Sequence, residues 1–473
     1  MLSTEEAIKA LLNPDSVAVV GATKDATKIG GRLLNYMLKH GYAGKLYPVN
    51  PRESEILGFK CYENIAAIPE PIDLACLVVS AQAAIPLLQQ CPARKVRAAT
   101  VFASGFGEAG QVDAQRELVN VAREKSIRLC GPNSIGVVNP NDHACTSFSP
   151  LLDADTTLGG DIAFVTQSGA LGGSLVSQAW ERGIGFRCMI SSGNEADLDT
   201  SDYIRYLAGD SEAKVIALLV EGVKDAAKFK EAVQLAIKAG KPVVAYKTGR
   251  SPIGKLAVQS HTGSLAGEEE VYLAAFRQWG VIRAPQVTDV FDIGMALAWL
   301  LMPRGNKVGI VSTSGGACSV VADVCFDFGL EIPALTAETG SALRQIVPSF
   351  GVTTNPVDVT GQMMTTPEKY RDVFRTVLDD PGIDSLIIML TMVTDPWSLI
   401  LARDIVELSR TSAKPICVAW TASRSLAVQG IEFLMKHKVP VYSTPEKAVL
   451  AMKGMADFTT FSRKVMGGSL AAG

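Results

Sequence analysis

Residues 259–267, QSHTGSLAG, set His261 among serine, threonine and glycine, which make a poor core but suit movement and hydrogen bonding. The chain has only four histidines, and this one has no nearby His or Cys to complete a metal-ligand set, so no metal is expected. An imidazole so placed can take up and pass on a proton or a group. A carboxylate accepting its Nδ1–H would fix the tautomer and leave Nε2 free to act. Glu221, ending the apolar run VIALLVEG, is the candidate acceptor; the alternative is an exposed strand-end residue. Two turns, TQSGALGG and TSGGACSV, put Ser168–Gly169 and Ser314–Gly315–Gly316 where a strand gives way to a helix. The first N–H groups of a helix lack intrahelical partners and carry about half a positive charge, so each turn reads either as an anion site or as a plain serine N-cap. Neither Ser168 nor Cys318 lies in a nucleophile elbow; both are set aside as nucleophiles, and Cys318 is expected to pack as a small apolar residue.

The elements that position these groups follow from hydrophobic patterning. SVAVVGA, KLYPVN, LACLVVS, AATVFAS and IRLCGP are short buried runs separated by helical stretches such as RLLNYMLKH. That alternation predicts a parallel, doubly wound sheet over residues 1–140. Ligands of such sheets sit at the carboxyl ends of the strands. Three glycine-rich loops fall there: VGATKDATKIGG, with Gly21 and with Lys24 or Lys28 as counter-charge, FASGFGEAG and CGPNSIG. The first lacks G-x-G-x-x-G, so no dinucleotide fingerprint is present. The stretch from 139 to 160, rich in Asn, Asp, Ser, Thr and Gly, reads as a linker.

The rest is a duplication. DIAFVTQSGALGGSLVSQAWERG and KVGIVSTSGGACSVVADVCFDFG are one phrase written twice, and KVIALLVEG with DSLIIMLTM, then KPVVAYKTG with KPICVAWTA, continue it. Two flavodoxin-like units are expected, over 158–300 and 305–460, with a tail over 461–473. His261 follows the KPVVAYKTG strand of the first copy and has no counterpart in the second, which near the place of Glu221 offers Thr391 or Met392. Asn355, Pro356 and Asp358 in TTNPVDVTG form a turn signal.

Length and composition narrow the function classes. At 473 residues, with 48% apolar and 20% charged residues, the chain has the make-up of an ordinary globular protein of about three domains. A net charge of −3 leaves no footprint for nucleic acid. No run is long enough for a membrane span, and MLSTEEAIKA lacks a signal-peptide core. The nine cysteines form no CxxC pair, so reduced, buried thiols and a cytoplasmic location are expected.

From SVAVVGATK through FASGFGE, CGPNSIG, TQSGALG, LLVEG, SHTGSLAG, STSGGA and NPVDVTG, the chain resembles the ADP-forming (NDP-forming) acyl-CoA synthetases, relatives of succinyl-CoA synthetase, in their α-subunit-like part. The resemblance implies an α/β chain with a Rossmann-like CoA-binding domain and two flavodoxin-like CoA-ligase domains. It implies an acid–thiol ligase component that interconverts acyl-CoA, phosphate and ADP with a carboxylate, CoA and ATP. Phosphoryl would pass from an acyl phosphate to His261, with Glu221 in support and Ser168–Gly169 and Ser314–Gly316 as phosphate-binding helix starts. CoA would contact Gly21, Thr23, Lys28, Asn50, Ser80, Ser104, Phe106, Gly131, Pro132 and Asn133. ADP and ATP, with Mg2+, would bind only on an ATP-grasp subunit or fused domain, for which the sequence leaves no room after the third unit. A small carboxylic acid is the implied substrate, and a homo- or hetero-oligomer the implied assembly. A CoA-binding regulatory module without turnover is the alternative, disfavoured by the presence of both His261 and Glu221.

Overall fold

The computed structural model of the chain describes residues 3–262, 268–366 and 368–467, with backbone only at 259–262, 364–365 and 368. It divides into two compact units, residues 1–287 and 288–473.

Among the described residues the first unit holds two large sheets and a small antiparallel one, Glu55–Ile56 with Phe59–Lys60. The N-terminal one is five-stranded and parallel, in the order Lys45–Val49, Ser16–Val20, Ile72–Leu77, Val96–Val101, Arg128–Cys130. Counted in chain order this is 2-1-3-4-5, so the order reverses between the first and third strands, the switch point at whose carboxyl ends ligands of such sheets bind. Ser16–Val20 is buried along its whole length, because helices cover both faces of a parallel sheet and only Val-rich runs tolerate that.

The second sheet repeats the order with Gly159–Thr166, Phe186–Ser191, Val215–Val220, Val243–Lys247 and Ile282–Arg283 as its strands one to five. Its free edge is extended by an antiparallel hairpin, Gly136–Asn139 with Ala144–Ser147, which pairs with Phe186–Ser191. This corrects the linker reading over residues 139–147. Of the polar residues that suggested a linker, Asn139, Thr146, Ser147 and Ser149 are buried. Asn139 donates to the Leu12 carbonyl (2.7 Å) and accepts from Arg187 (2.8 Å), and Arg187 also pairs with Asp142 and Asp210 at 2.9 Å each. Removing one partner of such a buried ion pair typically costs about 3–5 kcal/mol, so the hairpin is firmly held.

The second unit carries the third large sheet, in the order Val357–Asp358, Val308–Ser312, Ser385–Leu390, Ile416–Trp420, Val441–Tyr442, again 2-1-3-4-5 and parallel. The helix Asp289–Trp299 belongs to this unit, against the long helix Pro445–Val465, where Lys447 bonds the buried Asp289 (3.2 Å) and Asp292. All nine cysteines are free and buried, Cys318 among them, its thiol pushed up to about 11 by burial. Among the described residues no helix is long and apolar enough to cross a membrane.

Candidate active site

Loops at the carboxyl ends of the first sheet bond to the loop that follows Phe186–Ser191 in the second. At Gly21, φ is +88°, and a Cβ would lie 2.1 Å from the Val78 carbonyl oxygen, so only glycine lets the first and third strand ends approach so closely. Asn50 donates to the Ala22 carbonyl (2.8 Å), which pins the loop, and Thr23 accepts from the Asp25 amide (3.2 Å). Lys28 sits at the N-cap of the helix Ile29–Lys39, its ammonium exposed and 3.9 Å from Asp25, and Lys24 pairs with Glu53 at 2.8 Å. Ser80 and Ser104 are exposed, and Ser80 heads the helix Ala81–Gln90 without capping it. Phe106 is different: at 1% exposure it is a core side chain, so it offers a ligand no aromatic face. The reason is local, since Glu108 accepts from the Gly105 and Phe106 amides and turns the ring inward.

Glu108 also accepts from Asn194, in the loop after Phe186–Ser191, and Gln115 joins them at 3.0 Å. The same loop receives CGPNSIG. The Asn194 amide donates to the Pro132 carbonyl (2.9 Å), and Gly131 accepts from the Ala196 amide (3.0 Å). At Gly193 a Cβ would lie 2.2 Å from the Pro132 oxygen, so the contact is backbone on backbone. Ile135, at the other end of CGPNSIG, lies against the Ser168–Gly169 turn: a Cβ on Gly169 would meet its Cγ2 at 2.6 Å. Sequence-predicted loops from the CoA-type sheet and the first Ser-Gly turn are thus brought together.

The two Ser-Gly turns share one geometry. Thr166 Oγ1 donates to the Ser168 carbonyl (2.8 Å) and accepts from the Ser168 amide (3.1 Å); Ser312 does the same to Ser314 at 3.0 and 3.1 Å. Both serines occupy N-cap positions, of the helices Gly169–Glu181 and Gly315–Phe328, yet neither hydroxyl caps its helix. The N–H groups at both helix starts are therefore not taken by the serine. The difference lies beside them. Next to Gly169 stands the Ser191 hydroxyl, 3.3 Å from a would-be Cβ, whereas next to Gly315 stands the Asp358 carboxylate, at 2.8 Å. Strand register makes Ser191 and Asp358 equivalents, partnered with Thr166 and Ser312 respectively. A negative charge already faces the second helix start, where a dipole favours anions.

The corner around Glu221 is the other point of difference. Gln167 Oε1 accepts from the Glu221 and Gly222 amides (2.5 and 3.0 Å), and its Nε2 donates to the Gly222 carbonyl (2.9 Å). In the second copy Thr313 Oγ1 accepts from the Thr391 amide (2.9 Å), which makes Thr391 the counterpart of Glu221. Glu221 is 8% exposed, so it is a buried carboxylate rather than a solvated strand end. Beside it Lys247, at 6% exposure, donates to the Thr248 carbonyl (2.5 Å) and lies 4.7 Å from the centre of the Tyr272 ring. The Tyr272 hydroxyl accepts from the Val223 amide (3.0 Å), tying the helix Glu269–Trp279 to the loop after Glu221. Burial lowers the Lys247 pKa, with the Glu221 charge acting in the opposite sense. Glu195, buried nearby and bonded to Ser192 and Thr200, has its pKa raised by burial.

His261 closes the helix Pro252–Thr262 instead of lying within a loop, because the run KLAVQ before it favours helix and the glycine-rich residues follow it. Its side chain, and Gly263 to Gly267, lie outside the described residues. The helix itself approaches the turn Gly107–Ala109 of FASGFGEAG to within 8 Å, Cα to Cα. Motif reading missed Gln167, Lys247, Tyr272 and Asn194, which stand beside the candidate residues of the first unit, and took Asp358, which stands beside the second helix start, for part of a turn.

Three family models match in series: a CoA binding domain over 15–140, a succinyl-CoA ligase like flavodoxin domain over 159–297 and a ligase-CoA domain over 308–463. The α subunit of acetate–CoA ligase [ADP-forming] I from Pyrococcus furiosus is 35% identical over 467 residues, 97% of this chain and 99% of that one. The chain belongs to the ADP-forming acyl-CoA synthetase family. It is an acid–thiol ligase chain, and the regulatory alternative finds no support in the matches. The acetate–CoA ligase [ADP-forming] of Methanocaldococcus jannaschii is 31% identical over 97% of this chain but only 64% of its own length, so some members of this synthetase family carry more than this chain spans. The solved acetyl-coenzyme A synthetase 1 of Candidatus Korarchaeum cryptofilum, described as dinucleotide forming and in complex with phosphate and ADP, superposes with a TM-score of 0.90. It is 31% identical, and the match covers 99% of this chain and 100% of that one.

Proposed function

We propose that this chain performs the acyl-transfer and histidine-phosphorylation half of the ligase reaction. A phosphate oxygen attacks the thioester carbonyl of an acyl-CoA; the C–S bond breaks, CoA leaves as the thiol and an acyl phosphate remains. His261 Nε2 then attacks phosphorus, the bond to the acyl oxygen breaks, and the carboxylate departs, leaving phosphohistidine. An ATP-grasp subunit or domain, with Mg2+, passes the phosphoryl group to ADP. The observation that carries this reading is that the helix Pro252–Thr262, which contains His261, comes within 8 Å of the FASGFGEAG turn, while the Glu221 amide is bonded to Gln167, next to the Ser168–Gly169 helix start that lies against Ile135 of CGPNSIG. Thioester and histidine are thereby assigned to one unit.

The roles follow from charge. Glu221 accepts the imidazole Nδ1–H and favours attack through Nε2. The Ser168–Gly169 helix start holds the phosphoryl oxygens with backbone N–H groups. The Ser314–Gly316 start is the weaker of the two, because Asp358 already supplies a negative charge there. CoA lies over Gly21, Thr23, Lys28, Asn50, Ser80, Ser104 and Gly131–Asn133, with exposed Lys24 and Lys28 meeting its phosphates. The test is incubation with a panel of acyl-CoAs and labelled phosphate, with and without ADP and an ATP-grasp subunit. Expected are thiol release and acid-labile label on the chain alone, and ATP only with the subunit. CoA binding without thiol release or label for any acyl-CoA would instead return the chain to a regulatory role.

A further inference from the structure

In the second sheet the strand Gly159–Thr166 runs between Val215–Val220 and Phe186–Ser191, so Thr166 is flanked by Leu219 on one side and Ser191 on the other. The loops that leave the two flanking strands are joined to each other by a lysine. Lys224, three residues after Glu221, donates to the Asn194 carbonyl (2.6 Å) and to the Glu195 carbonyl (2.8 Å). Lys228, one turn further on, reaches across as well, but to carboxylates, those of Asp199 and Asp202 at 2.7 Å each. An ammonium spent on main-chain carbonyls fixes the position of a loop rather than cancelling a side-chain charge.

Both ends of this brace are tied to the candidate site. On the Lys224 side, Gln167 bonds the Glu221 and Gly222 amides and the Gly222 carbonyl, and Tyr272 the Val223 amide, so the backbone from 221 to 223 is pinned. On the other side, the Asn194 side chain donates to Glu108 and to Gln115 (3.0 Å), and its amide donates to the Pro132 carbonyl (2.9 Å). Glu108 in turn accepts from the Gly105 and Phe106 amides. An unbroken run of hydrogen bonds therefore leads from FASGFGEAG and CGPNSIG, through Asn194 and Lys224, to the loop that begins at Glu221. In the second copy, counted from the equivalence of Thr391 with Glu221, the place of Lys224 falls to Thr394, which has no ammonium to offer.

We propose that Lys224, with Asn194, is a positioning residue for the acyl-transfer step: together they hold the loops assigned to CoA in register with the Glu221 corner, so that thioester and phosphate meet. The role rests on the function proposed above, and neither residue is asked to touch the reacting atoms. Attack of phosphate on the thioester needs both sets of loops and so depends on the brace. Transfer from a ready-made acyl phosphate to His261 needs only the corner and does not. A misplacement of about 1 Å between reacting groups costs on the order of a hundredfold in rate. Lys224 is exposed, so its truncation opens no cavity in the core and leaves the fold intact.

The experiment uses full-length protein and follows acid-labile labelling from two donors: acetyl-CoA with labelled phosphate, or the panel member that labels wild type fastest, and the matching labelled acyl phosphate. Lys224→Met is expected to label about thirtyfold more slowly from the acyl-CoA at saturation, but less than about threefold more slowly from the acyl phosphate, with CoA affinity by calorimetry within about threefold of wild type. Lys224→Arg, which still donates to two carbonyls, should recover most of the loss. Asn194→Ala should show the same selectivity, and adding it to Lys224→Met should cost less than about threefold more, since the two act in series. Equal losses with both donors, no loss with either, or additive losses in the double variant would overturn this role alone. Wild type that labels with no acyl-CoA, or with acyl-CoA but not with acyl phosphate, would overturn the proposed function and this role together.

Discussion

Two copies of one βα unit, residues 159–283 and 308–442, share strand order, the hydroxyl that brackets the Ser-Gly turn, and the side-chain cap that joins their first and third strand ends. They differ where charge is placed. The first has Ser191 at the helix start and Glu221 with Lys247 at the strand ends; the second has Asp358 at the helix start and Thr391 with Trp420 at the strand ends. The backbone sets where an anion can dock. Of the two, the first combines a helix start without a neighbouring carboxylate with a charged corner, which is why the proposed chemistry is assigned to it.

The largest expected effect separates Glu221 from Thr391. Glu221→Gln should slow histidine labelling on the order of 10³-fold, as loss of a positioned acid–base group does, whereas Thr391→Val should change it by less than about twofold. Rapid-quench labelling with an acyl phosphate reads both, and equal losses would abolish the distinction between the copies. Next comes Trp420→Ala, expected to destabilise the second unit by about 3 kcal/mol in a denaturant titration, because a fully buried indole and its bond to Val393 are lost; labelling of the folded protein should not change.

How much of this was legible from sequence differs between the copies too. The duplication, the three parallel units and the Ser-Gly turns are written in apolar runs and Ser-Gly-Ala phrases, so pattern alone finds them. Glu221 stands out in the sequence because its apolar run ends in an acid. Lys247 does not, since a lysine closing the strand VVAYK reads as a solvated end, and only the register beside Val220 reveals its neighbour. Asp358 was read as part of a turn, because nothing local indicates that its carboxylate would stand at the start of a helix more than forty residues earlier in the chain. The hairpin of 136–147 hid behind polar residues, of which Asn139 and Ser147 are buried and Asn139 and Asp142 are bonded by Arg187 from a later strand.

Smaller effects sharpen the contrast. Asp358→Asn should tighten phosphate binding at the second helix start by about fivefold, corresponding to the roughly 1 kcal/mol that one charge is worth at a helix end. Calorimetry with inorganic phosphate checks it, and unchanged or weaker binding would mean that this helix start is not an anion site. The smallest effect concerns stability against pH. Burial lowers the Lys247 pKa, so in the alkaline window between its folded value and the ordinary lysine value the unfolded chain binds more protons than the folded one. Wild type therefore gains stability there as pH rises, and Lys247→Met should lose that gain, flattening the curve of unfolding free energy against pH.

The central claim is that one copy, through His261, accepts the phosphoryl group. Peptide mapping of the chain after brief labelling with acyl-CoA and labelled phosphate tests it most directly. The account predicts acid-labile, base-stable label confined to the peptide that contains His261 and absent from His261→Ala. Label retained in that variant, or mapped to a peptide of residues 308–442, would contradict it.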